Sequence, residues 1–132
     1  MNNNKQIWAK RVAVFEYIFA CLCREEIDYD TIVNEFKAFE NTEPWQLKIV
    51  ATFAVNLDTV VNLIKTYTKN SKWSYEQLDL VLKAILHEVY AESLAHQTPK
   101  AVLIDQSLIT MDKYGDPKLK KMLHALIDKI IK

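Results

Sequence analysis

A single glycine, Gly115, among 132 residues is the feature that most limits what this chain can fold into. Sandwiches, barrels and doubly wound sheets turn tightly many times, and glycine supplies much of the backbone freedom those turns need. Three prolines add little further turn material. One glycine also cannot write a dinucleotide fingerprint, a Walker-type phosphate loop or a nucleophile elbow. The expectation is an all-α fold, a compact single-domain bundle of six to seven helices over residues 1–132, with the polar residues 1–4 outside its ordered part.

Net charge is zero, with 17 Lys and Arg against 17 Asp and Glu, so the sum gives no reason to expect a polyanionic partner. The distribution is less even. Acids crowd residues 25–43 (Glu25, Glu26, Asp28, Asp30, Glu35, Glu40, Glu43), where Lys37 is the sole base. Lys5, Lys10, Arg11 and Arg24 dominate the chain before that segment, and Lys113, Lys118, Lys120, Lys121, Lys129 and Lys132 dominate its end. Two basic ends therefore flank an acidic early segment.

Apolar spacing places the helices. Trp8, Val12, Phe15, Phe19 and Leu22 form a stripe over residues 5–24. Lys5, Lys10 and Arg11 lie in the first turns of that helix, where the helix dipole prefers acids. A short helix is expected from an Asp30 cap, with Ile32, Phe36 and Phe39 on one face, broken at Asn41 and Thr42. Pro44 suits a first helical turn, and Trp45 to about Tyr67 reads as one long helix or two nearly collinear ones. Ser74 and Gln77 fit a capping box ahead of a helix that runs to about Ala95. Thr98 and Pro99 then read as N-cap and first residue of a helix with Ala101, Ile104, Leu108 and Met111 inward. Gly115 is expected to end it in a left-handed conformation, and Asp116-Pro117 to open the last helix.

Chemistry-bearing constellations are absent from this pattern. His87, His96 and His124 are scattered, and none stands with a second His or a Cys at metal-ligand spacing. Cys21 and Cys23 sit two apart, pointing to different sides of a helix, so they suit neither a disulfide nor a shared metal. They read as reduced, partly buried core residues of a cytosolic protein. No catalytic residue, metal or cofactor is expected. The start lacks an apolar signal core, and no apolar run approaches the ~20 residues that span a bilayer. Asn56 and Asp105 interrupt apolar stripes and read as polar braces between helices.

Several segments, in order, resemble the NusB family of all-helical bacterial antitermination factors. Asp79-Leu-Val-Leu-Lys83-Ala-Ile-Leu-His87-Glu88-Val89 is similar to the family's D-x-A-I-L-R-x-A-x-Y-E-L, and Pro99-Lys-Ala-Val-Leu-Ile-Asp105-Gln106 to its P-x-x-V-x-I-N-E. Lys113-Tyr114-Gly115 resembles K-x-F-G with the Lys displaced by one position, and Lys121-Met-Leu-His-Ala-Leu-Ile-Asp128-Lys129 resembles K-F-V-N-G-V-L-D-K. Arg11-Val-Ala-Val-Phe15-Glu16-Tyr-Ile-Phe19 looks like R-E-x-A-L-Q-A-L-Y. Together these cover nearly the whole chain.

The resemblance implies a cytoplasmic RNA-binding protein that is not an enzyme. Its implied partners are single-stranded boxA-like RNA of ribosomal RNA leaders, the ribosomal protein NusE and the RNA polymerase antitermination complex. It implies RNA contacts at Lys5, Lys10, Arg11, Gly115, Asp116, Lys118, Lys120 and Lys121, and partner contacts at Lys83 and Glu88. Binding RNA in this way requires the two basic ends to converge on one face. Departures are concentrated at polar positions: Lys83 replaces Arg, His87 replaces Tyr, and Ile7, Trp8 and Ala9 occupy much of the family's arginine run. A lysine offers a point charge where arginine offers a bidentate fork. The competing expectation is a protein–protein interaction module of the same fold without RNA binding, either monomeric or a homodimer.

Overall fold

The computed structural model describes residues 3–24 and 28–132, with side chains from Gln6 onward. Glu25 and Glu26, the first acids of the acidic segment, lie outside the described residues with Ile27, as do Met1 and Asn2. Among the described residues seven α-helices follow in order: α1 (Asn3–Leu22), α2 (Tyr29–Lys37), α3 (Pro44–Val55), α4 (Leu57–Thr68), α5 (Leu80–His96), α6 (Lys100–Tyr114) and α7 (Lys120–Ile130). Single 3-10 turns at Tyr75–Gln77 and Pro117–Leu119 precede α5 and α7. Asn3 and Asn4, expected outside the ordered chain, belong to α1.

Helix α5 is the axis of the bundle. Leu82, Ala84, Ile85, Leu86, His87, Val89 and Ala91 are all buried, so this helix has no solvent face along its middle. Helices α1, α3, α4, α6 and α7 surround it, and α2 packs outside on α3. The α7 stripe was legible, with Leu123, Leu126, Ile127 and Ile130 facing the core. On α1, Val12 and Phe15 are buried as read, together with Val14, Tyr17, Ile18 and Cys21, whereas Trp8, Phe19 and Leu22 are partly buried.

Local chemistry moves several boundaries. The second helix is capped by Asp28, which accepts from the Thr31 N–H at 2.8 Å, and Asp30 falls inside the first turn. The expected long helix is broken: α3 and α4 meet at 67°. At that corner the Asn56 side-chain amide donates to the Thr52 carbonyl at 2.9 Å, an internal competitor for the backbone's own bonding. Asn56 therefore turns the chain and does not brace a neighbouring helix. The Ser74–Gln77 box closes the 3-10 turn alone, and Asp79 caps α5 through the Leu82 N–H at 3.0 Å.

Helix α6 is rotated from expectation by about one position. Its buried residues are Leu103, Ser107, Thr110 and Met111, whereas Ala101 and Asp105 are exposed. Pro99, not Thr98, is its N-cap. Gly115 is not left-handed, with φ −123° and ψ −153°. A Cβ there would lie 2.5 Å from Met111 Sδ and 2.9 Å from Val81 Cγ1, so glycine serves the close approach of α6 to α5. Cys21 is buried and Cys23 exposed, a sharper division than the shared partial burial expected.

Candidate nucleic-acid interface

The first basic end turns largely inward. Arg11 reaches from α1 to α5, where Nε and Nη2 each donate to the Glu92 carboxylate at 2.8 Å. Nη1 donates to Gln106 Oε1 at 3.4 Å, and the guanidinium lies 5.6 Å from the Trp45 ring centroid. Glu92 is fully buried and takes a further bond from the Thr98 hydroxyl at 2.7 Å. That bond explains why Thr98 does not cap α6. Burial pushes the Glu92 carboxyl up, but the donors Arg11, Glu88 and Thr98 outweigh it and keep the group below its ordinary value. Lys10 is paired as well, with Nζ 3.1 Å from Glu43 Oε2. Lys5 lies in α1, but its side chain is outside the described residues.

Lys83 and Glu88, the expected partner contacts, face the interior. Lys83 donates to the Tyr75 carbonyl at 3.1 Å and lies 4.5 Å from that ring's centroid, and burial lowers its pKa. Glu88 is buried one turn before Glu92, and its Oε2 has no hydrogen-bond partner. Burial first, then the adjacent Glu92 charge, holds Glu88 well above the ordinary carboxyl range, so it is the neutral member of the pair. Neither side chain is presented on the surface as that role requires. His87 is fully buried as well, edge-on to Phe53, and burial lowers its pKa to about 4.

The second basic end stays outside. Lys118 and Lys121 are exposed, and Lys120 is paired with Asp112 at 3.0 Å. Asp116 accepts from the Lys118 N–H at 3.0 Å and so shapes the loop that starts the 3-10 turn before α7.

A bridge between the two ends comes from Trp8, which the sequence assigned to packing, together with Thr110, Lys113 and Tyr114. Trp8 Nε1 donates to Thr110 Oγ1 at 3.0 Å, fastening α1 to α6. Lys113 Nζ lies 5.2 Å from the Trp8 ring centroid and 5.9 Å from that of Tyr114. Tyr114 leans on buried Phe15 at 5.9 Å yet is 42% exposed. This makes an open aromatic edge with a cation over it, next to the Gly115–Lys121 loop. Reading α6 with Ser107 and Thr110 inward would have revealed this grouping; apolar periodicity alone hid it. No group of three or more His, Cys, Asp or Glu side chains that could hold a metal occurs among the described residues. No single described helix is long and apolar enough to cross a membrane.

Five helices packed around a buried α5, with α2 outside on α3, define a NusB-like all-α bundle. The likeness is to a solved structure of a conserved hypothetical protein from Mycoplasma genitalium that shows structural homology to NusB proteins. The TM-score is 0.80 at 28% identity, covering 92% of this chain and 96% of that one. Residues 6–131 match the family described as Domain of unknown function (DUF1948), and the chain belongs to that family. It is similar to uncharacterized protein MG027 of Mycoplasma genitalium, at 31% identity over 92% of this chain and 89% of the relative. The MG027 homolog of Mycoplasma pneumoniae is also 31% identical, over 92% of this chain and 80% of the relative.

Proposed function

We propose that the protein is a cytoplasmic, non-enzymatic RNA-binding factor of the NusB kind. In this reading it binds boxA-type single-stranded RNA together with a NusE-type ribosomal protein and acts in transcription antitermination. The observation that carries it is exposed Lys113 and Tyr114 on half-buried Trp8, beside the loop bearing Lys118 and Lys121. Single-stranded RNA is read by stacking unpaired bases on aromatic faces while cations hold the phosphates. The edge offers both, and it borders the loop that the family resemblance assigns to RNA. Gly115 and Asp116 set the loop's path, and Lys118 and Lys121 supply unpaired charge. The NusB-like fold of the related Mycoplasma protein supports the same reading.

The test is a titration of labelled boxA-like RNA, with and without a NusE-type protein, at two salt concentrations. Roughly three phosphate contacts, from Lys113, Lys118 and Lys121, give a log–log salt slope of about −2. Binding no tighter than that of a scrambled RNA, in both arms, sinks the reading.

A second reading, a protein-interaction module without RNA binding, is favoured by Val102 and Ile109. These stand 39% and 45% exposed on the outer side of α6. It predicts capture of the NusE-type protein by the same sample that ignores RNA.

A further inference from the structure

The connector between α4 and α5 is built unlike an ordinary surface loop. Trp73 is 48% exposed, yet its backbone is fixed from both sides. Its N–H donates to Ser71 Oγ at 3.1 Å, and the Ser74–Gln77 box follows directly. The indole separates two recesses. One, of about 450 Å³, is lined by Lys65, Lys69, Lys72, Trp73 and Tyr75. The other, of about 250 Å³, is mainly apolar, formed with Leu78, Leu82, Leu119 and Met122 beside Gln77 and Asp79.

Charge in the first recess is strongly one-sided. Lys65, Lys69 and Lys72 are exposed, and among the described residues none has a carboxylate within ion-pair distance. Glu76 is the one carboxylate on its wall; nearby Asp79 is occupied in capping α5. Lys65 Nζ lies 5.8 Å from the Tyr75 ring centroid and buried Lys83 4.5 Å from it, so two ammonium groups flank the ring, with the Glu76 carboxylate close to both. Three cations beside an exposed, preorganised indole match a planar base carrying a phosphate. A phosphate alone would use the lysines and leave the indole idle. A purely apolar partner would leave the lysines unpaired.

The second recess supplies continuity. Leu119 forms part of its wall and is flanked in the chain by Lys118 and Lys120, on the loop already assigned to RNA. We propose that the α4–α5 connector is a second nucleotide subsite, in which Trp73 stacks a base and Lys65, Lys69 and Lys72 hold the phosphates of RNA extending past the Tyr114 edge. As an RNA subsite it rests on the reading given above; as a nucleotide pocket it can be tested separately.

Two measurements keep those failures apart. In the first, the nitrogen-15-labelled full chain is titrated with adenosine 5′-monophosphate and, separately, with inorganic phosphate, following the Trp73 indole N–H. The nucleotide should shift this resonance and phosphate alone should not. In the second, labelled RNAs of about six and about fourteen nucleotides are compared, lengths that bracket a short and an extended single-strand site. Trp73→Ala should weaken the longer RNA about tenfold, leave the shorter one unchanged, and be rescued by Trp73→Tyr. Lys65→Ala/Lys69→Ala/Lys72→Ala should reduce the salt slope on the longer RNA by about 2. Parent-like binding of both lengths by both variants, with Tyr114→Ala impaired, overturns the subsite and leaves the RNA reading standing. If the parent binds neither RNA, the RNA reading fails. A Trp73 shift with the nucleotide then supports a free-nucleotide site, and its absence overturns the subsite too.

Discussion

Arg11 and Lys113 belong to the two basic ends of one sequence, yet the fold uses them in opposite ways. Arg11 is drawn between α1, α5 and α6, where its guanidinium meets buried Glu92 in a fork of 2.8 Å bonds. Lys113 stays in solvent over Trp8 and beside an exposed Tyr114. The difference teaches that positive charge near a helix start does not identify a ligand surface until its counter-charge is located. Glu92 lies 81 residues away from Arg11 in the chain, so only the folded arrangement reveals it.

The largest effects should fall on the buried side. Arg11→Ala strands the Glu92 carboxylate in the core and should cost about 3–5 kcal/mol in denaturant unfolding. A loss below ~1 kcal/mol would mean that the pair is solvated and that the contrast with Lys113 is false.

Protonation separates the regions next. His87 has its pKa lowered by burial to about 4 from 6.5, so its contribution to stability is full above pH 6.5 and lost as pH falls toward 4. That contribution amounts to about 3 kcal/mol. Glu88 acts oppositely. Its raised carboxyl pKa contributes stability below the ordinary value of 4.5, lost as pH rises through the folded value. Unfolding measured against pH should show His87→Leu removing the acid-side loss and Glu88→Gln removing the decline at higher pH.

Tyr114→Ala should reverse the pattern of the buried variants. RNA affinity should fall by about 1–3 kcal/mol while unfolding free energy changes by less than that, because one face of the ring is already in solvent. An equal loss of stability and affinity would return Tyr114 to the core. Gly115→Ala is smaller still, about 1–2 kcal/mol in unfolding, as Met111 and Val81 shift to admit a methyl group.

Much of the scaffold was legible because apolar periodicity reports burial directly. The stripe of α7 and the proline at the start of α3 occur as read, Val12 and Phe15 of the α1 stripe are buried, and the Ser74–Gln77 box forms, though on a 3-10 turn ahead of α5. Periodicity failed where burial is polar. Ser107 and Thr110 face inward on α6, Thr110 accepting the Trp8 indole N–H, so a stripe of apolar residues alone is displaced by one position. The bend at Asn56 was hidden for a related reason, since a side-chain bond to the preceding turn leaves no mark in hydropathy. The site was less legible than the scaffold. Lys118 and Lys121 are exposed as expected, but Lys10, Arg11 and Lys120 are each matched to a carboxylate. Trp8 was hidden among core aromatics because helical spacing does not distinguish a buried ring from one at the rim.

The most direct test replaces both members of the buried pair. In Arg11→Met/Glu92→Met the internal charges leave together, a change that similar buried pairs tolerate with little loss of stability. The measurement is the salt slope of boxA-like RNA binding by this variant beside the parent. With Arg11 confined to the core, the variant should fold and keep the parent's affinity and slope. A folded variant whose slope is shallower by about 0.7, with weakened binding, would show that Arg11 contacts phosphate and would contradict the division drawn here.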